Sequence, residues 1–283
     1  MVNESLISEK YIQNFERDGY VVIPNVLPDE MIERIIIAGD KMIASDCQDN
    51  RQPVSDNTDG FRNSIEHDDV FIELLANKKI LPYLIRLLGP SIKLLTSQLI
   101  YRSPIPSNLE KHNINTGWHR DFYQAQHSLG HANIPRLDIK VGYCLTDLPE
   151  ANCGGTLLLP GSHLLKENLP TTRCENPSGT VDPILSKGDC LLFENRTWHA
   201  GGVNYSNVTR KIIMMGYTYT WIESYDCDFY KEETVLKAKE LHGDIGLQLL
   251  NALPKPVQFD FYYKNKPLEK WARKNDFNVT NKE

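Results

Sequence analysis

IKLLTSQLIYRS (92–103), LDIKVGYCLTDL (137–148), GGTLLLP (154–160), GDCLLFEN (188–195) and RKIIMMGYTYTWI (210–222) are short, strand-like runs. Gly, Pro, Asn and Asp separate them. Several short strands punctuated in this way predict a β-sandwich or barrel. No linker-like composition interrupts the runs, so they belong to one unit.

On the N-terminal side the texture is helical. Residues 7–18 (ISEKYIQNFERD) predict a short helix stopped by Gly19, and YVVIPNV (20–26) a strand ended at Pro24. Residues 28–45 predict a helix with acidic residues in its first turn, where they complement the helix dipole. Residues 46–66 are polar and turn-rich and read as a long loop, and 68–89 as a helical pair. On the C-terminal side, 231–251 read as helix, and the tail after Pro254 is polar and aromatic. The expected architecture is mainly β with flanking helices, in a single domain over 1–283. It divides into a mostly helical part (1–91), a β core (92–222) and a C-terminal extension (223–283).

Composition narrows the function. At 283 residues the chain can bury about 75% of its unfolded surface and needs no staples. Its 31 basic and 37 acidic residues give a net charge of −6 and no strong basic face, which argues against nucleic acid as the main partner. No apolar run reaches the ~18 residues that cross a bilayer. The start, MVNESLISEK, lacks the basic and apolar regions of a secretion signal. A cytoplasmic setting with reduced thiols follows. The six cysteines (47, 144, 153, 174, 190 and 227) form no CxxC pair and read as small buried hydrophobes. Asn-x-Ser/Thr sequons at Asn3, Asn195, Asn204, Asn207 and Asn278 read as accidents of an Asn-rich composition.

The chemistry rests on histidines. A mononuclear iron site of the facial type needs two imidazoles and one carboxylate on one side of the ion, with other positions open. His-x-Asp suits a strand, because residues i and i+2 share a face. The chain has three such pairs: His67/Asp69, His119/Asp121 and His242/Asp244. The first precedes a helical run, where Asp68 and Asp69 read as helix-start acids. The third ends a helix before Gly243, where His242 reads as a C-terminal dipole partner. His119, in TGWHRDFY (116–123), has aromatic neighbours and no helical period. Eighty residues on, His199 follows a strand-like run in FENRTWHAGGV, and Arg210 follows it by eleven residues. A guanidinium fork suits a dicarboxylate, although alone Arg210 would read as a surface ion pair.

Four ordered segments together resemble the phytanoyl-CoA dioxygenase family of Fe(II)/2-oxoglutarate oxygenases over most of the chain. They are FERDGYVVIPNVL (15–27), WHRD (118–121), GGTLLLPGSH (154–163) and His199 with Arg210. The resemblance implies a double-stranded β-helix (jelly-roll, cupin-like) core. It implies His119, Asp121 and His199 as ligands of Fe(II), and Arg210 as the partner of the distal carboxylate of 2-oxoglutarate. Thr156 and Gln98 become further co-substrate contacts, with Arg102 a rival of Gln98. The implied reaction consumes O2 and decarboxylates 2-oxoglutarate to succinate while oxidising a small-molecule metabolite or natural-product intermediate, most simply by hydroxylation. Desaturation, dealkylation and ring formation use the same site. Related halogenases put a small residue where Asp121 stands, so the carboxylate argues against halogenation.

Other readings stay open. The fold hosts binding proteins without redox activity, and the same ligands serve other metal reactions. Gly161-Ser162-His163 lacks a G-x-S-x-G elbow. Trp118 and Trp198 should turn away from the metal into packing. Tyr217 and Tyr219 lie on one strand face and could line a pocket. His127 and His131 fall in a loop that could meet substrate. The substrate's contacts are expected from 46–66, 105–117, 122–136 and the C-terminal segment. The acidic balance argues mildly against an acyl-CoA and for a small cationic or zwitterionic molecule. A monomer or homodimer is expected.

Overall fold

The computed structural model describes residues 7–52, 57–105, 117–169, 175–254, 266–275 and 277. Two antiparallel sheets face one another. The larger has six strands: β1 (Tyr20–Ile23), β2 (Thr58–Arg62), β3 (Ile92–Arg102), β4 (Asp138–Cys144), β6 (Cys190–Glu194) and β8 (Arg210–Tyr219), in the order β1-β6-β4-β8-β3-β2. The smaller pairs β5 (Thr156–Leu158) with β7 (His199–Gly201). Isolated bridges from His119 to His199 and from Val181 to Leu158 widen it. This is the mainly β architecture with flanking helices that the strand runs predict, in the jelly-roll form that the family resemblance implies.

Strand alternation sorts the large sheet into two faces. Ile139, Val141 and Tyr143 on β4, Leu192 on β6, and Ile213, Met215 and Tyr217 on β8 face the helices. There they meet α1 (Glu9–Asp18), α2 (Asp29–Ala44), α3 (Asp69–Glu73), α4 (Leu81–Leu88), α6 (Glu232–His242), α7 (Asp244–Leu249) and α8 (Pro267–Lys274), whose buried members include Phe15, Ile35, Phe71, Leu84 and Leu249. The opposite face carries Leu191, Phe193, Ile212 and Met214 into the space between the sheets. Gly19 closes α1 in the left-handed region (φ 80°), and its N–H bonds Phe15 O. A side chain there would collide with Thr197 and His163.

Four elements depart from the sequence reading. The loop expected at 46–66 contains β2, which pairs with β3 in register Arg62↔Gln98. Its sequence, TDGFR, has no apolar alternation, and Gly60 packs so closely that a Cβ there would overlap the Leu99 carbonyl. His199 opens a strand of its own, too short to show a period. The segment after WHRD holds the short helix α5 (Tyr123–Leu129) rather than loop alone. The tail holds α8, announced by Pro267 at its start and an amphipathic PLEKWARK.

Cys144, Cys153 and Cys190 are buried and Cys47 and Cys227 half-buried as free thiols, while Cys174 lies outside the described residues. Of the sequon asparagines, Asn195 and Asn204 are buried with their amides engaged, Asn207 is exposed, and Asn3 and Asn278 lie outside the described residues. Among the described residues no helix is long and apolar enough to cross a membrane.

Candidate metal centre

The His119–Asp121 segment runs beside β7. His119 and His199 exchange backbone bonds, N–H to carbonyl, at 3.0 Å both ways. The Asp121 N–H donates to Asn195 O at 3.0 Å. Extended geometry turns Arg120 to the other side, where it donates to Ser162 O and Leu165 O and lies over the Trp198 ring. His119 and Asp121 therefore share one face, as the i, i+2 spacing predicts.

The ligand atoms converge. One atom from each of His119, Asp121 and His199 lies within 4.8 Å of the others. Each His Nε2 stands 3.9 Å from an Asp121 oxygen, His119 from Oδ1 and His199 from Oδ2. Each Nδ1 faces a backbone carbonyl two residues back: Gly117 O at 2.7 Å and Thr197 O at 2.9 Å. A carbonyl only accepts, so Nδ1 carries the proton and Nε2 presents its lone pair inward. Burial, then the neighbouring His119, holds His199 down to about 4, which keeps that lone pair available at neutral pH. For Asp121 burial pushes upward, but Lys140, His199 and His119 outweigh it and hold the carboxylate below its ordinary range. Asp121 Oδ2 is shielded from solvent and lacks a hydrogen-bond partner. A buried oxygen left this way is costly unless a cation completes it. The donor set of two imidazoles and a carboxylate fits a divalent transition metal.

The centre opens into a cavity of about 260 Å³ between the sheets. Arg210, at the start of β8, is buried; its Nε donates to Gly154 O at 2.7 Å and its Nη1 has no partner. Burial, then the adjacent Arg102 cation, presses the guanidinium down to about 9, still charged at neutral pH. Arg102 pairs with Arg210 across β3 and β8, and its Nη1 donates to Gly202 O. Thr156 sits opposite Gly201 on the small sheet and also lines the cavity. Gln98 lines it as well, but its Oε1 accepts from the Arg62 guanidinium at 3.2–3.3 Å. All six site residues read from the sequence thus border one cavity.

Three polar lining residues, Arg62, Lys140 and Tyr225, were not named by the sequence reading, although Arg62 and Tyr225 fall in segments expected to meet substrate. Lys140 is the one cation of β4, two residues from Asp138. It stands 3.9 Å from Asp121 Oδ2 and 3.5 Å from Asp138 Oδ2. Burial alone would lower its ammonium, but Asp121 and Asp138 together raise it. Burial, opposed by Lys140, leaves Asp138 raised to about 7. Tyr217 and Tyr219 stay outside the cavity. The Tyr217 hydroxyl donates to Leu75 O on the helical face, and Tyr219 stacks on Trp221. Tyr225 takes the lining place because its ring packs against Phe122, held at φ 59° directly after Asp121.

The discarded motifs are structural. Asp68 caps α3 by accepting from Val70 N–H, and His242 bonds Ile72 O. Ser162 Oγ accepts from Trp198 N–H, and His163 bonds Glu16 O, so no nucleophile–base pair forms. Trp118 and Trp198 pack with Leu157. His127 and His131 do not reach the cavity. Of the loops expected to meet substrate, residues 53–56 and 106–116 lie outside the described residues.

Comparison with known proteins bears on the family and the fold. The family model described as phytanoyl-CoA dioxygenase matches residues 15–212. A probable alpha-ketoglutarate-dependent hypophosphite dioxygenase of Stutzerimonas stutzeri is 28% identical over 167 residues, covering 53% of each chain. The chain spans between about a third and a half of the length of the curated relatives it matches. Among solved structures, HygX of Streptomyces hygroscopicus, with nickel and 2-oxoglutarate bound, superposes with a TM-score of 0.59 at 17% identity, over 81% of this chain and 94% of that one. The non-heme alpha-ketoglutarate-dependent epimerase SnoN from nogalamycin biosynthesis gives 0.58 at 20% identity, over 75% and 83%.

Proposed function

The chain belongs to the phytanoyl-CoA dioxygenase family, and from that premise we propose that it is an Fe(II)/2-oxoglutarate-dependent oxygenase of a small molecule, with hydroxylation as its outcome. One observation carries the reading: two inward-facing Nε2 atoms and a buried Asp121 oxygen that makes no hydrogen bond meet at the mouth of a cavity that also presents a free arginine nitrogen.

Fe(II) held by His119, Asp121 and His199 supplies oxygen activation coupled to decarboxylation of the 2-oxo acid. The protein's own part is positioning. The carbonyls of Gly117 and Thr197 fix both imidazole tautomers. Arg210 Nη1 offers a charge-assisted bond to the distal carboxylate, with Nε already anchored on Gly154. Thr156 and Gln98 border the same space as secondary contacts. Ile100, Phe193, Ala200 and Met214 supply apolar walls that limit water around the reacting centre. Asp121 fills the position that a halide would need to share.

Anaerobic addition of Fe(II) and 2-oxoglutarate should produce a weak visible charge-transfer band, absent in Asp121→Gly. A screen of small molecules should then reveal substrate-dependent succinate release, with a product heavier by one oxygen. Full activity in Asp121→Gly, or no band and no 2-oxoglutarate affinity in the wild type, would overturn the proposal.

A further inference from the structure

The cavity's charge is the opposite of the chain's. The protein as a whole carries −6. Yet the described residues lining the cavity include four cations, Arg62, Arg102, Lys140 and Arg210, against the single carboxylate of Asp121. The counter-charges of the extra cations sit behind them. Asp138 is fully buried beneath Lys140. Asp226 has a fully buried side chain; it lies 3.6 Å from Arg62 and accepts from Thr96 Oγ1 and Ser97 N–H. A divalent metal and a dianionic co-substrate cancel each other, so the positive surplus persists in the loaded site. Low-dielectric walls concentrate such a field on whatever enters.

The cations form two poles. Arg102 and Arg210 are direct partners across β3 and β8. Arg62 pairs with Gln98, four residues back along β3, or about 13 Å at the rise of a strand. Lys140 lies on β4 opposite Gly216, and a Cβ at that glycine would stand 3.2 Å from Nζ, so the absent side chain lets the ammonium lie over β8. Arg62, from the far edge, lies over the β3 residue Gln98. The two side chains thus approach each other over the centre of the sheet, with the apolar row Ile100–Ile212 between them and the arginine pair. One pole serves the distal carboxylate of 2-oxoglutarate. The other has no role in that reading.

We propose that the substrate carries an oxoanion, a carboxylate or phosphate, seated between Arg62 and Lys140, with its body turned toward Tyr225. The proposal rests on the oxygenase reading and names the substrate class for that site. It reverses the expectation of a cationic or zwitterionic substrate drawn from overall charge.

The test uses the full-length, Ni(II)-loaded protein, which cannot turn over, and calorimetric titration. Affinity for 2-oxoglutarate is measured first; its absence in the wild type would overturn the oxygenase reading itself. With 2-oxoglutarate saturating, benzoate, benzamide and benzylamine are compared as a charge series of one shape, with inorganic phosphate as the second oxoanion. Benzoate or phosphate should bind, and benzamide and benzylamine should be weaker by about tenfold or more. Arg62→Gln, on a half-exposed edge position, should lose about tenfold for the anion and far less for 2-oxoglutarate. Lys140→Met should behave alike, and added KCl should weaken the anion selectively. Benzoate ahead of phosphate marks a carboxylate substrate; the reverse marks a phosphate. Benzylamine binding as well as benzoate, no binding by either anion, or an Arg62→Gln loss falling equally on 2-oxoglutarate would overturn the proposal.

Discussion

Arg210 holds a guanidinium nine-tenths and more out of water, with one nitrogen anchored and another free. Such an arrangement is stable only if something anionic completes it, because an unpaired buried cation is costly. Lysine would keep the charge but lose both the Gly154 anchor and the planar fork. Arg210→Lys is therefore expected to raise the 2-oxoglutarate concentration for half-maximal succinate release by about tenfold or more, with little change in stability. An unchanged 2-oxoglutarate dependence would remove Arg210 from the co-substrate site. At this scale the sequence was most informative where chemistry dictates spacing. The i, i+2 step of His119 and Asp121 needs only an extended backbone to make a chelate. Lys140 was legible in principle, as a lone cation among residues that are all buried, but Arg62 sits in a polar stretch with no such contrast. Overall charge averages over a surface that the cavity does not share, so it carries little information about what the cavity binds.

The elements that aim these residues are joined by Asn195, at the turn after β6. Its side-chain oxygen accepts from Leu137 N–H and Asp138 N–H, its amide donates to Pro135 O, and its own carbonyl accepts from Asp121 N–H. One buried residue thus ties the start of β4, the end of β6 and the metal-motif segment. Asn195→Ala would leave at least one buried backbone donor unsatisfied, at a cost of about 1–3 kcal/mol. The expected result is a lowered melting temperature together with weakened metal affinity; a fall in one without the other would mean that the turn does not position Asp121. Elements were legible in proportion to their apolar contrast. β3, β4, β6 and β8 are buried and announce themselves. β2 and β7 are held by pairing with neighbours, through Gly60 against Leu99 and His199 against His119, and such long-range contacts leave no local period. Gly60→Val tests this at the edge: a side chain overlapping the Leu99 carbonyl should detach β2 and weaken oxoanion binding through Arg62, while 2-oxoglutarate affinity persists.

Across the whole molecule, a large apolar core between helices and sheet supports a small, highly charged chamber on the sheet's other face. The core supplies the stability, and the chamber draws on it: Asp121, Lys140, Asp138 and Arg210 are all withdrawn from water for reasons that folding alone does not explain. Asp121 stands 3.9 Å from Lys140 and from each imidazole, and these neighbours hold its carboxylate below the ordinary range, so the ionised aspartate contributes to the ligand-free fold as well as to the metal site. Ligands that bind only the folded state stabilise it in proportion to the logarithm of their saturation, about 2.7 kcal/mol at a hundredfold excess over the dissociation constant. Thermal unfolding of the wild type should therefore rise by several degrees with Ni(II) and rise again with 2-oxoglutarate. Ligand-free Asp121→Ala should melt below the ligand-free wild type, because Lys140 loses one of its two counter-charges, and it should show neither increment. A preserved Ni(II) increment would place the metal elsewhere.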